Sequence, residues 1–300
     1  MFRPMTSSSP LAFLQPRGFR IGFLAVFCSA SWVASAAVGD NLLKNGDAND
    51  GLTNWGGFTS VEADPEGGGN CFLLRSPGYG ISQELIPVDM QTPYTLTGRF
   101  RSQGEDTARL YIGFECFDEQ KERINNEEIN AMPGTETELA AAAVAGSALL
   151  KIRDGATWEF DPAWTPANGV VAFHVKDNHA DLPNRDLSPI GISSIRKTGD
   201  GWEVVLSKPL ERDYPAGTKV RQHRKRDTFC YVEKGINFAA DAVWTEQAAS
   251  ISGATPFGST GLAFWPGTRF VRVVVTNPPP QAAGQNSSPA LVGGLSFSPQ

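Results

Sequence analysis

Tyr94-Thr-Leu-Thr-Gly-Arg-Phe-Arg-Ser102 changes residue type at every step. Tyr94, Leu96, Gly98 and Phe100 fall on one side, and Thr95, Thr97, Arg99 and Arg101 on the other. A period of two is what a half-buried strand requires, because successive side chains point to opposite faces of a sheet. One face of this strand is therefore core. The other carries hydroxyls and guanidinium groups and is the first place to look for a ligand.

Outward from this strand, similar short runs recur at 59–63, 71–75, 81–86 and 109–117. Gly- and Pro-rich breaks such as Pro65-Glu-Gly-Gly-Gly69 separate them. Short strands, frequent turn signals and almost no helical periodicity predict an all-β sandwich or barrel. The texture changes over 125–226. Thr137 to Ala148 is alanine-rich and reads as a short helix or a small-residue lead-in, followed by strands at 149–152, 170–175, 192–197, 202–206 and 218–221. The first texture returns with a strand at 228–232, a loop region holding Trp244 and Phe257, and Thr268-Arg-Phe-Val-Arg-Val-Val-Val-Thr276. That last run is the most β-branched in the chain and is expected to be a central strand. Asn277-Pro-Pro-Pro280 ends it, a flexible loop spans 281–288, and 291–297 is a last short strand. The predicted organisation is a sandwich over 38–124 and 227–300, interrupted by a β-rich unit at 125–226.

Residues 1–37 stand apart. Arg3, Arg17 and Arg20 precede the apolar run 21–33, which ends in Ala34-Ser-Ala-Ala37; this is the pattern of a secretory signal. The expected location is secreted, periplasmic or cell-surface. The apolar run is too short to span a bilayer and no later stretch approaches it, so no membrane span is expected. The chain carries 26 basic and 32 acidic residues, a net charge of −6. The leader holds three arginines and no acid, so the remainder is more acidic still, which argues against nucleic acid as a partner. Of four cysteines, Cys28 lies in the leader. Cys71, Cys116 and Cys230 sit singly in apolar runs, the pattern of buried free thiols rather than of a disulfide framework or a zinc site.

Several of these stretches together resemble the CenC-type carbohydrate-binding modules. They are Asn41-Leu-Leu-Lys-Asn-Gly-Asp47 with Trp55, Ile81-Ser-Gln-Glu-Leu85, the 94–102 strand, and Ile112-Gly-Phe-Glu-Cys-Phe-Asp118 followed by Ile124. Trp244 and the 268–275 run look like the closing strands. The family consists of galactose-binding-like jelly rolls attached to many secreted bacterial polysaccharide-degrading proteins, so the resemblance implies a jelly roll that binds a polysaccharide or glycan. Family members with a structural calcium carry acids after the first Asn-Gly turn and an Asp pair in the last strand. This chain has Asp47, Asn49 and Asp50 at the first place but Gly293-Gly294 at the second. The resemblance thus implies at most half a calcium site, and no cofactor is expected. The 125–226 unit is similar to a β module of bacterial surface and phage proteins, through the lead-in 142–152 and the turn from Lys208-Pro-Leu210 to Tyr214-Pro-Ala-Gly217. It implies a spacer.

A sugar site needs a flat aromatic for the C–H face of a ring and planar polar groups for its hydroxyls. If Leu110, Ile112, Phe114 and Cys116 are core, Tyr111 and Glu115 share an exposed face with Arg99 on the neighbouring strand. Tyr79 and Gln83 begin the strand before. The predicted site is therefore Tyr79 or Tyr111 as platform with Arg99, Gln83 and Glu115 as hydrogen-bonders; the alternative is a solvated cross-strand Arg99–Glu115 pair. Trp55 is either a rim platform or a buried sandwich tryptophan. His174, Asp177, His179 and Asp181 form a polar cluster that reads either as a metal or general-base loop or as a plain strand exit. Arg221-Gln-His-Arg-Lys-Arg226 reads either as a grip for an anionic polysaccharide or as a solvated linker. No nucleophile, zinc-protease or phosphate-loop motif is present. The reading that follows is a secreted, non-catalytic, carbohydrate-binding protein. A cell-surface structural or adhesion protein is the alternative, and a polysaccharide-active enzyme using His174–Asp181 is a third.

Overall fold

The computed structural model describes residues 39–104, 108–199, 201–238, 243–255, 261–279 and 288–300. The stretch read as a leader, Phe257, and all but the last residue of the stretch 281–288 read as a loop lie outside these residues. In chain order the strands are β1 (Trp55–Gly56), β2 (Ser60–Ala63), β3 (Asn70–Leu74), β4 (Gly78–Ser82), β5 (Ile86–Pro87), β6 (Tyr94–Ser102) and β7 (Ala108–Phe117). There follow β8 (Thr137–Glu138), β9 (Leu149–Ile152), β10 (Gly169–Phe173), β11 (Ile192–Thr198), β12 (Gly201–Leu206) and β13 (Lys219–Arg224). The chain closes with β14 (Cys230–Phe238), β15 (Thr245–Ile251), β16 (Phe270–Asn277) and β17 (Ala290–Pro299). Two one-turn helices, α1 (Asn126–Ile129) and α2 (Thr165–Asn168), are the α-helical segments among the described residues. No helix there is long and apolar enough to cross a membrane.

The protein is an all-β sandwich. One sheet has the order β1-β4-β16-β7-β14 with β5 also on β16, and the other has the order β15-β6-β17-β3-β2. Their inner faces share one core, in which Leu96, Phe100, Val292 and Phe297 meet Leu110, Ile112, Phe114, Val273 and Val275. The rings of Phe114 and Phe297 approach to 5.2 Å across the two sheets. The β-branched run of β16 is central, as its composition predicts, because every second valine must be covered and both edges must be paired. β17, expected to be a short closing strand, is instead ten residues long and runs between β6 and β3.

Residues 137–224 build two three-stranded sheets, β10-β13-β8 and β11-β12-β9. A second core of Leu150, Ile152, Phe173, Val204, Leu206 and Val220 lies between them. The alanine-rich stretch forms no helix. Ala143 bridges Tyr214, and Gly146 and Ser147 exchange backbone hydrogen bonds with Leu210. The two halves of the recognised motif thus pair with each other, and Leu210 and Tyr214 are buried in the second core. The first half of the basic run 221–226 is not a solvated linker. Arg221, Gln222 and His223 are all at most 1% exposed within β13.

Candidate functional site

The alternation of β6 survives intact: positions 94, 96, 98, 100 and 102 are buried and those between are half-exposed. The outward row includes Arg99, flanked by Glu246 of β15 on one side and Gly293 of β17 on the other. A bulge separates Gly293 from Ser296, and Gly294 has φ +57 within it. A Cβ on Gly293 would lie 3.2 Å from Arg99 Nε, and one on Gly294 3.7 Å from its Cγ. A side chain at Gly293 would therefore crowd the arginine, whereas Gly294 is required by its positive φ in the bulge.

Arg99 Nη2 reaches Asp64 Oδ2 at 2.6 Å, and the Asp64 side chain is fully buried. Asp64 Oδ1 also accepts from the Trp244 indole N–H and the Glu66 backbone N–H, each at 2.9 Å. The Trp244 ring in turn lies over the Arg99 guanidinium, 4.6 Å from its carbon to the ring centroid. Burial by itself would raise the Asp64 carboxyl, but the Glu66 N–H, the indole and the Arg99 guanidinium together hold it below the usual carboxylate value. One buried acid thus fixes a half-exposed tryptophan and a half-exposed arginine against each other. Cys71 lies beneath, and burial first, then Asp64, pushes its thiol up to about 11, leaving it unreactive at neutral pH. Beside Arg99 opens a groove of about 350 Å³ lined by Thr97, Gly98, Glu246, Gln247, Ala248 and Gly294.

The structure does not bring the predicted set together. β6 and β7 belong to different sheets, so Arg99 points away from the core on one side of the sandwich and Tyr111 and Glu115 on the other. Glu115 is buried and held by two arginines, Arg272 Nε at 2.8 Å and Arg123 Nε at 3.0 Å, rather than by Arg99. It is a structural acid. A Glu115→Ala variant is expected to lose about 2 kcal/mol of stability in urea melts by leaving two half-exposed arginines unpaired.

Tyr79 and Tyr111 do share a face, in one row across β4, β16 and β7 with Thr276 between them. Tyr79 is 49% exposed and packs 5.9 Å from Phe229; Tyr111 lies 5.1 Å from Tyr231. Gln83 instead holds the end of β1, its backbone N–H on Asn54 O at 2.9 Å and its amide on Trp55 O at 3.4 Å. Trp55 is a core residue at 3% exposure, donating to the carbonyls of Lys44 and Asn45, so it offers no platform.

At the first Asn-Gly turn, Asp47 and Asp50 take part in local hydrogen bonds. Asp47 is hydrogen-bonded to Asn49 at 2.6 Å, and the Asp50 N–H donates to Asn45. At the place of the second acid pair, Gly293 and Gly294 receive the Arg99 cation. The histidine loop is divided. His174 Nδ1 meets Asp186 at 2.5 Å, while His179 faces Glu136 at 3.8 Å, so the two rings do not converge. No metal-holding cluster occurs among the described residues.

Sequence reasoning missed Asp64, Trp244, Glu246 and Gln247. β15 holds Thr-Glu-Gln-Ala-Ala-Ser-Ile, weak in β-branched residues, and as an edge strand it takes its register from β6. The one available signal was Asp64 itself, an acid at a strand end before Pro-Glu-Gly-Gly-Gly.

No family model and no curated protein matches the chain. Among solved structures it is similar to the N-terminal CBM22-1–CBM22-2 tandem domain from Paenibacillus barcinonensis Xyn10C, at 10% identity and a TM-score of 0.23, over 89% of this chain and 99% of that one. A likeness of that size leaves the function to be argued from the residues of the site.

Proposed function

We propose that this is a secreted, non-catalytic carbohydrate-binding protein of the CenC-type jelly-roll kind, with 125–226 as an inserted spacer. Its groove along β6 and β15 takes a stretch of polysaccharide. The observation that carries this reading is the Asp64-locked pair of Trp244 and Arg99 beside an open groove. A ring held at fixed orientation suits the C–H face of a pyranose, and the guanidinium, Gln247, Glu246 and Thr97 are planar or hydroxyl partners for its hydroxyls. Because the pair is held before any ligand arrives, little ordering cost is charged to binding. No metal or cofactor is needed for such recognition.

The test is retention of the chain without its leader on a panel of insoluble polysaccharides, followed by a glycan array. Trp244→Ala, and Glu246→Ala on an exposed side chain, are each expected to weaken retention by about tenfold or more, the size of a binding hot spot. Wild-type protein that no glycan retains would sink the proposal. It would then favour the adhesion reading, for which the exposed Tyr79 above Phe229 on the opposite sheet supplies a surface. Tyr79→Ala is expected to leave glycan retention unchanged.

A further inference from the structure

The inserted unit carries a second depression, about 550 Å³ in volume, between a turn at 159–165 and the end of β13. Trp164 is half-buried in its wall, and Arg224 lies over one face of the ring at 5.4 Å. Arg224 also pairs with Glu159. Asp161 holds the turn: its carboxylate accepts from the Ala163 N–H at 2.9 Å, and its carbonyl accepts from the backbone of Trp164 and Thr165. Arg226 is exposed and lines the same space. Among the described residues, neither the Trp164 indole N–H nor the Arg226 guanidinium has a hydrogen-bond partner.

The walls are braced from behind. Gln222, 1% exposed, exchanges two hydrogen bonds with the Glu159 backbone, accepting from its N–H at 2.9 Å and donating to its carbonyl at 2.7 Å. The Lys225 N–H donates to Asn168, whose amide donates to the Trp164 carbonyl. The Arg226 N–H donates to Asn126 at 2.9 Å. An indole, two unengaged donors and a carboxylate are therefore held at fixed places around a cavity within the size range of small-molecule sites, roughly 300–1,000 Å³. Charge decides the class of occupant. Arg224 pairs with Glu159, and the rest of the lining carries one cation, Arg226, and one acid, Asp161, so the lining has no net charge and selects neither an anion nor a cation.

We infer that this depression is a second saccharide site, taking one or two neutral sugar units. The inference rests on the proposed glycan-binding function and gives the inserted unit a part in it. The indole offers its N–H and its uncovered edge to a ring; Arg226 donates to hydroxyls and Asp161 accepts from them. The occupant is not the sulfated or uronate chain that the basic run by itself would suggest, because the first half of that run is inside the fold.

The test is calorimetric titration of the chain without its leader using neutral hexasaccharides of β-glucan, xylan and mannan, with an oligogalacturonate as the charged control. The expected stoichiometry is two ligands per chain. Trp164→Ala and Arg226→Ala should each bring it to one, and Glu246→Ala should weaken the other site by about tenfold. Arg226 is exposed, so its variant keeps the test valid if Trp164→Ala fails to fold. A stoichiometry of one that both insert variants leave unchanged overturns the inference while the groove stands. Oligogalacturonate bound in preference, and lost in Arg226→Ala, overturns the neutral class. Wild-type protein binding none of the probes removes the glycan function and this site with it.

Discussion

Between pH 7 and pH 4 the protein is expected to lose about 3 kcal/mol of folding stability through one side chain, His223. Its ring is fully buried and both nitrogens are committed: Nδ1–H donates to Glu127 O at 2.7 Å, and Nε2 accepts from Arg221 Nε at 3.0 Å. A carbonyl can only accept and a guanidinium can only donate, so the bonds require the neutral ring. Burial, and then the Arg221 charge, push its pKa down from 6.5 to about 4; the Glu127 carbonyl and Asp181 oppose the shift without overcoming it, and His179 adds to it. In the unfolded chain the ring protonates below pH 6.5. The unfolded state therefore binds the extra proton between 6.5 and about 4, and stability falls with pH across that window. Above pH 6.5 the contribution is complete. Urea unfolding at pH 7 and pH 4 measures the difference, and His223→Gln, neutral at both, should flatten it. Equal slopes for the two proteins would remove the assignment. Asp64 and Asp181 act below this window, because their pKa values are lowered from 3.8.

Asp64→Ala should produce the largest loss at the groove, in stability and binding together. The fully buried carboxylate serves the Glu66 N–H, the Trp244 indole and the Arg99 guanidinium. Its removal frees the ring and strands a half-exposed cation. The expected cost is about 3 kcal/mol, at the lower end for a broken buried pair because Arg99 retains some access to water. Glycan retention should fall at least as far as in Trp244→Ala. Asp64→Asn separates the two roles: its carbonyl oxygen still accepts from the indole and the Glu66 N–H, but its amide cannot pair with Arg99. Tryptophan fluorescence close to wild type, with retention lost, is the expected result for that variant. Because the folded-state pKa of Asp64 is lowered, its stabilisation is full above the ordinary carboxylate range and disappears as pH falls through the lower folded value. Wild-type melting and retention in Asp64→Ala would refute the role given to it here.

The parity of the strands was legible in the amino-acid order. Leu96 and Phe100 face inward and Arg99 outward, and Leu110, Ile112 and Phe114 face inward with Tyr111 and Glu115 outward. Pleating is a property of consecutive residues, and a core requires one apolar side. The central place of β16 could also be read, from its β-branched composition. Trp55 and the basic run 221–226 were open to two readings, because burial of an amphipathic side chain depends on what packs over it.

Taken alone, the residue order determined an all-β chain, the facing of β6 and β7, and Arg99 on a polar sheet face. Tertiary structure decided what joins Arg99 there. Consecutive strands β6 and β7 look like a hairpin, yet they enter opposite sheets, and β6 takes its neighbours from 245–251 and 290–299. Trp244 meets Asp64 across 180 positions of sequence. Local pattern says which way a side chain points, but the partner across the sheet is chosen by how distant segments share one core, and no stretch of neighbouring residues records that choice.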